Sequence, residues 1–453
     1  MIPTSAKEVQ NLGWDYIDVI FFSGDAFVDH PSFGAACIAR YLQSRGYRVA
    51  VVPQPNWRDD LRDFRKLGSP RLYFAVSSGA MDSMVNHYTA ARRLRHEDAY
   101  TPEGKAGMRP DRAVTVYTRI LKQLWPDTPV VIGGVEASLR RLTHYDYWSD
   151  SLMRSVLLDS GADYLCYGMG EEPMLRLTRA MEKGWSQHRM QTLPQIAFYR
   201  SGSALPSDAC VLHSYEDCLR SKKDFAENFH AIETNANLMH PRTLVESCGE
   251  GFVQVNPPCP PSSTEQMDSF WDLPFTKLPH PCYKGKRIPA YDMIKDSIIT
   301  HRGCFGGCNF CTIAAHQGKF IQSRSPESIL KEVRSLAAMP QFRGNISDLG
   351  APTANMYGMK GKDPALCEGC RRKSCLYPAP CPNMDRSHEA LLDLYDKVLQ
   401  VKGVKHAYIG SGVRYDLFLE PDGYVDESGR RYLRSLVLTH TSGRLKVAPE
   451  HTD

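Results

Sequence analysis

The sequence predicts an α/β fold in two parts, a Rossmann-like N-terminal domain followed by a partial (β/α) barrel. Three observations predict it. Short apolar runs alternate with amphipathic helical spacing through the first part of the chain. A proline-punctuated stretch without periodicity follows, and the alternation then resumes near residue 296. The length of 453 residues exceeds that of one ordinary domain.

In the first part, Asp18–Ser23 (DVIFFS) reads as a buried strand and residues 34–45 as a helix closed by Gly46. Strands follow at Arg48–Val52 and Arg71–Val76, a helix at 111–124, strands at Val130–Gly134 and Asp163–Gly168, and a helix from Glu172 to about Lys183. Strands separated by helices imply a parallel sheet covered on both faces. We assign residues 1–190 to this domain and 191–289 to an irregular linker or wrapping segment, rich in proline around 257–261.

Residues 290–453 form the second alternating region. Asp296–Thr300 (DSIIT) is a strand running into a cysteine-rich loop. Ser325 and Pro326 open a helix as N-cap and first helical residue, and Ile329, Leu330, Val333 and Leu336 share its face. Strands are expected at Asn345–Leu349, His406–Ser411 and Arg444–Ala448, with a helix at Leu391–Val401 and an insertion at about 360–388. This makes about four βα units, fewer than a closed parallel barrel needs, so an open barrel or a C-terminally truncated chain is expected.

Composition narrows the function classes. Hydrophobic residues at 42% and charged residues at 23% can bury a sizeable core. A net charge of +4 is too small to argue for nucleic acid or an anionic membrane. No apolar run could span a bilayer, and the first residues lack the apolar core of a signal peptide, so we expect a cytoplasmic protein. Of the 14 cysteines, seven are scattered singly and seven fall between 304 and 381, a distribution that favours metal or catalytic use over disulfides.

The first cluster is His301-Arg-Gly-Cys304-Phe-Gly-Gly-Cys308-Asn-Phe310-Cys311. Three thiolates in one loop can bind three irons of a cubane and leave the fourth open. Gly303, Gly306 and Gly307 let the backbone wrap closely and aim N–H groups at sulfur. Position after a strand places the loop at the C-terminal mouth of the sheet, where α/β sites gather. The competing reading is a zinc knuckle completed by His316, although structural zinc asks for four ligands.

The C-x3-C-x2-C spacing with an aromatic before the last cysteine resembles the signature of radical S-adenosylmethionine (SAM) enzymes. That resemblance implies a [4Fe–4S] cluster on Cys304, Cys308 and Cys311, SAM on the open iron, and reductive cleavage to methionine and a 5′-deoxyadenosyl radical. An electron donor such as a flavodoxin or ferredoxin would then be a partner, and the substrate stays unnamed. The chain further resembles the YgiQ family (UPF0313 type). The carriers are GDAFVDHPSFG at 24–34, GAMDSMVNHYTAARRLR at 79–95, IGGVEASLRRLTHYDYWSD at 132–150, NPPCPPSSTEQMDSFWDLPF at 256–275, RIPAYDMI at 287–294, SDLGAPTANMYG at 347–358 and LKVAPEHT at 445–452.

By position, the resemblance implies further SAM contacts. Phe310 matches the aromatic packed near adenine, and Gly350 the strand end whose backbone approaches the methionyl group. Ala351 and Pro352 stand where a Gly-Gly-Glu form would continue. Ser411 and Arg414 are candidates for carboxylate or ribose, and Glu450 for ribose or amino group.

Cys367, Cys370, Cys375 and Cys381 lie in the insertion and suit zinc or an auxiliary cluster, while His388 reads as a residue flanking a helix rather than a ligand. In the N-terminal domain, Asp29-His30 resembles part of the Asp-x-His-x-x-Gly cobalamin motif, but the spacing is wrong, which weighs against cobalamin. Gly133-Gly134 ends a strand and would admit a ligand. The alternative to an enzyme is a metal-binding regulatory or interaction protein, touching RNA through Arg371, Arg372 and Lys373.

Overall fold

The computed structural model describes residues 1–202, 204–419 and 425–447. The chain divides into two compact units, the first comprising 1–235, 240–259 and 273–292, the second 236–239, 260–272 and 293–453.

The first unit is built on one nine-stranded sheet. Its strands are β1 (Val19–Ser23), β2 (Val49–Pro53), β3 (Tyr73–Ser77), β4 (Val130–Gly133), β5 (Tyr164–Cys166), β6 (Ile196–Ser201), β7 (Cys210–Val211), β8 (Leu244–Cys248) and β9 (Gly251–Val255). The order is β2-β1-β3-β4-β5-β6-β9-β8-β7. Strands β1 to β5 pair in parallel, as expected of apolar runs buried on both faces. Helices α1 (Gly34–Ser44), α2 (Ala113–Leu124) and α3 (Glu171–Glu182) match the expected segments within two residues. Tyr117 and Leu121 of α2 pack onto Ile20, Phe74 and Ile132 of the sheet.

One sequence expectation is corrected here. Residues 191–289 are not an irregular linker, because β6 to β9 lie within them and extend the sheet. Strands β6 and β9 join by antiparallel pairing, which needs no helical crossover and so leaves no βαβ periodicity in the sequence.

In the second unit, β10 (Ser297–Ile299) pairs in parallel with β13 (Asp348–Gly350), after β12 (Asn345–Ile346), which pairs in parallel with β14 (His406–Ala407). The short β11 (His301–Arg302) lies between β10 and the first cysteine and pairs with Gln322–Ser323. Helix α4 (Pro326–Ala337) starts as expected: the Ser325 side chain accepts from the Ser328 amide at 3.1 Å. It packs with α5 (Glu389–Leu399) over the strands, burying Ile329, Val333, Leu394 and Val398 with Ile346 and Leu349. The expected strand at Arg444–Ala448 reduces, within the described residues, to one parallel bridge between Val413 and Val447. No helix of the described residues is long and apolar enough to cross a membrane.

Candidate iron–sulfur site

The first cysteine cluster follows β11 at the C-terminal end of the parallel strands, where side chains from successive loops converge. Gly303 takes φ +89°, and a Cβ there would stand 2.2 Å from the Phe320 carbonyl oxygen. The chain can therefore reverse at this point only as glycine. Cys304 is buried beside Phe305, Met356 and Leu417. Cys308 and Cys311 are half-buried.

Three groups are aimed at the sulfurs. The Gly306 amide donates to Cys304 Sγ at 3.4 Å, and Thr353 Oγ1 lies 3.3 Å from the same atom. Arg414 Nη1 donates to Cys308 Sγ at 3.1 Å. A Cβ on Gly306 would come within 2.7 Å of that Arg414 nitrogen and 3.4 Å of Cys304 Sγ, so the glycine keeps the approach open. Arg414 is itself fixed. Its Nε donates to Asp416 Oδ1 at 2.9 Å, its amide donates to Asn355 Oδ1 at 2.9 Å, and Asn355 Nδ2 donates back to its carbonyl at 2.9 Å. Burial works against the guanidinium charge, but the hydrogen-bonded Asp416 outweighs it and holds the group protonated well above the usual range.

Asn355 is held in turn by His388, whose Nε2 lies 3.2 Å from Asn355 Nδ2. His388 is the residue before α5, as its sequence position suggested, and stacks on Tyr432 with ring centroids 4.5 Å apart. Burial pushes its pKa down to about 4, so it serves as a neutral support. His301 is fully buried, and burial lowers it to about 3, with Nδ1 2.9 Å from Thr300 Oγ1.

The donor set fits an iron–sulfur cubane. Structural zinc asks for four nitrogen or sulfur ligands, and this loop offers three thiols. A cubane takes one thiolate on each of three irons, which suits three thiols in one loop.

The remaining expected SAM contacts divide. Phe310 is 73% exposed beside Cys311, with its ring open to a ligand. The Gly350 carbonyl is already committed, accepting from the Thr300 amide at 2.9 Å and from Thr300 Oγ1 at 3.3 Å. A Cβ at Gly350 would lie 2.6 Å from Ser411 Oγ, so neighbour packing accounts for this glycine. The Ser411 hydroxyl donates to Asp348, which also accepts from the Gly410 and Ser411 amides at 2.8 and 3.0 Å. Arg414 meets Cys308 and Asp416. Glu450 lies outside the described residues. The residues missed from sequence are Asp348, Thr353 and Asn355. All three stand in SDLGAPTANMYG, where polar side chains directly after a strand were the available signal.

The second cysteine group is free of disulfides, and all four thiols are half-buried. In the adjacent basic run Arg371 is exposed, while Arg372 and Lys373 hydrogen-bond to neighbouring loop groups. Arg372 Nη2 donates to the Ala379 carbonyl at 2.7 Å, and Lys373 Nζ to Asn309 Oδ1 at 2.7 Å.

In the first unit, the C-terminal edge of β1 and β3 carries a closed ionic cluster. Arg109, with no exposed surface, reaches Asp25 Oδ1 at 2.8 Å, Asp98 Oδ2 at 3.0 Å and the Ser78 carbonyl at 2.7 Å. Cobalamin does not fit His30 as found. His30 is 1% exposed, and its Nδ1 accepts from the Ser32 amide at 3.1 Å, a loop-capping role. At the glycine pair, a Cβ on Gly134 would meet Ser77 Oγ at 2.5 Å, so close packing explains it.

Comparison with known proteins places the chain in a family. A family model described as Radical SAM N-terminal matches residues 1–297. A UPF0313 protein of Bacteroides thetaiotaomicron is 56% identical over 466 residues, covering 100% of this chain and 75% of its own. A UPF0313 protein of Porphyromonas gingivalis is 54% identical, covering 100% of this chain and 72% of its own. The UPF0313 protein YgiQ of Escherichia coli is 42% identical, with coverage of 100% and 68%. A solved radical S-adenosylmethionine methyltransferase, TsrM from Kitasatospora setae with cobalamin and a [4Fe–4S] cluster bound, aligns with 93% of this chain and 65% of that one. Its identity is 15% and its TM-score 0.43, too loose to carry an argument. The chain belongs to the UPF0313 (YgiQ) family of radical SAM proteins.

Proposed function

We propose that this protein is a radical SAM enzyme whose [4Fe–4S] cluster is held by Cys304, Cys308 and Cys311. The observation that carries the reading is the loop itself. Three thiols share one short loop, and Arg414, Thr353 and the Gly306 amide approach two of the sulfurs. When bound, a cluster with one open corner supplies the electron that divides SAM into methionine and a 5′-deoxyadenosyl radical.

The chain's own residues would do the rest. Arg414 places a fixed positive charge on Cys308, and the Gly306 amide a donor on Cys304, which favours the more negative, reduced state. Phe305, Met356 and Leu417 keep water from the Cys304 side. The exposed Phe310 ring offers a face on which adenine can stack. A flavodoxin or ferredoxin would deliver the electron.

The test is anaerobic reconstitution with iron and sulfide, followed by dithionite and SAM. Formation of 5′-deoxyadenosine that disappears in Cys304→Ala, Cys308→Ala and Cys311→Ala supports the reading. A reconstituted, cluster-bearing chain that never cleaves SAM refutes it.

A further inference from the structure

The cysteine-rich insertion is a long loop with very little regular structure of its own. Its only helix is Pro364–Glu368. The neck is closed by a bridge between Gly361 and Met384, by the Lys362 amide on the Asn383 carbonyl at 2.7 Å, and by the Asp385 amide on the Lys360 carbonyl at 2.9 Å. Within that neck only Leu376 and Met384 are buried apolar residues, too few to order so much backbone by burial alone. A loop of this kind normally needs a cross-link, and none of its cysteines is in a disulfide.

The backbone already draws the thiol-bearing residues together. The Cys381 amide donates to the Cys375 carbonyl at 2.8 Å and the Cys370 amide to the Cys367 carbonyl at 3.2 Å. Asn383 Nδ2 donates to Cys367 Sγ at 3.4 Å, and Gly361 has no side chain where a Cβ would stand 2.6 Å from that sulfur.

The loop also docks on the first cysteine loop. The Cys375 amide donates to the Phe305 carbonyl at 3.0 Å. A Cβ on Gly307 would lie 2.8 Å from the Lys373 carbonyl oxygen. Cys375 and Cys381 pack against the same apolar cluster as Cys304.

We propose that Cys367, Cys370, Cys375 and Cys381 hold a second, thiolate-bound metal centre that orders this insertion as a wall of the first site. The ligand chemistry is four thiolates, which suits zinc or an iron–sulfur cluster. Metal binding would supply the ordering free energy that the apolar residues lack. The inference does not depend on SAM cleavage.

The test uses the full chain prepared without oxygen. Combined Cys304→Ala, Cys308→Ala and Cys311→Ala removes the first site. That variant should retain either about one zinc without sulfide or about four irons with sulfide per chain, and the two results separate the metals. Adding Cys370→Ala and Cys381→Ala should remove it. A second measurement needs no variant. On the unaltered chain, all four thiols should resist alkylation together and become reactive together after chelation, while exposed Cys282 reacts throughout. If the three-alanine variant carries no more metal than the five-alanine one, or if the four thiols alkylate as fast as Cys282 in freshly prepared protein, the proposal is overturned.

Discussion

Arg414 Nη1 stands 3.1 Å from Cys308 Sγ, making this guanidinium a neighbour of a thiol that we propose as a cluster ligand. The Asp416 carboxylate and the two Asn355 hydrogen bonds hold it there from the other side. A positive charge on a ligand sulfur stabilises the reduced cluster more than the oxidised one. Arg414→Met should therefore lower the cluster's reduction potential by on the order of 60 mV, the one-electron equivalent of about 1.4 kcal/mol. Potentiometric titration followed by electron paramagnetic resonance checks this. An unchanged potential would mean that the arginine only supports the loop.

Asn355 acts one step further back, so its replacement should misplace Arg414 without removing it. Asn355→Ala leaves the Arg414 amide and carbonyl unpaired in a buried region, at a cost of about 1–3 kcal/mol. The expected result is a lower melting temperature together with a potential shifted in the same direction as in Arg414→Met, but by less.

At Gly303 the backbone is left-handed and the space for a side chain is filled. Gly303→Ala should therefore fold with a displaced cysteine loop and bind substoichiometric iron after reconstitution. The comparison is with Gly318→Ala, also at positive φ but with nothing within 4 Å of the added carbon. Iron per chain, measured on both, should fall further for position 303.

Arg109 is a test of the first unit. It neutralises Asp25 and Asp98 with no access to water. Arg109→Met leaves both carboxylates buried without their cation and should destabilise the unit by about 3–5 kcal/mol in denaturant unfolding. Burial raises the Asp25 pKa to about 6 even beside Arg109, so the desolvation cost is already large.

Glu246 gives a pH dependence with a definite sign. Burial raises its pKa from 4.5 to about 7, against the Thr143 amide that donates to it at 2.8 Å. The folded state then holds a proton that the unfolded state releases. The stability from this group is present below about pH 4.5 and is lost as pH rises through about 7, a loss of roughly 3 kcal/mol at most. His144, lowered to about 4 chiefly by burial, works the other way and loses stability as pH falls below 6.5. Glu246→Gln should therefore gain stability relative to the parent chain at pH 8 and lose that advantage at pH 4.5. A parallel offset at both pH values would contradict the assignment.

Much of this was legible in the residues. The strands β1 to β5 are short apolar runs that must be buried, and their helices carry one apolar face, so pattern alone located them. The grouping of Cys304, Cys308 and Cys311 was legible because spacing within one loop is a local property, and their role as ligands is the proposal. The strands β6 and β9 were not legible, since they join the sheet by antiparallel pairing that needs no helical crossover, and β7, which pairs in parallel with β8, is only two residues long. Nor was the role of Arg414 legible, because its contact with Cys308 joins positions 106 residues apart. The partners of Ser411 and Gly350 were not legible either, because Asp348 and Thr300 reach them from positions 63 and 50 residues away.

The central claim is an iron cubane with one corner open to SAM. Mössbauer spectroscopy on chain reconstituted with ⁵⁷Fe, with and without SAM, tests it most directly. The account predicts a cluster lost on replacing Cys304, Cys308 or Cys311, with the signal of one iron in four shifted when SAM is added. A spectrum that SAM leaves unchanged, or a loop that holds zinc and no iron, would contradict it.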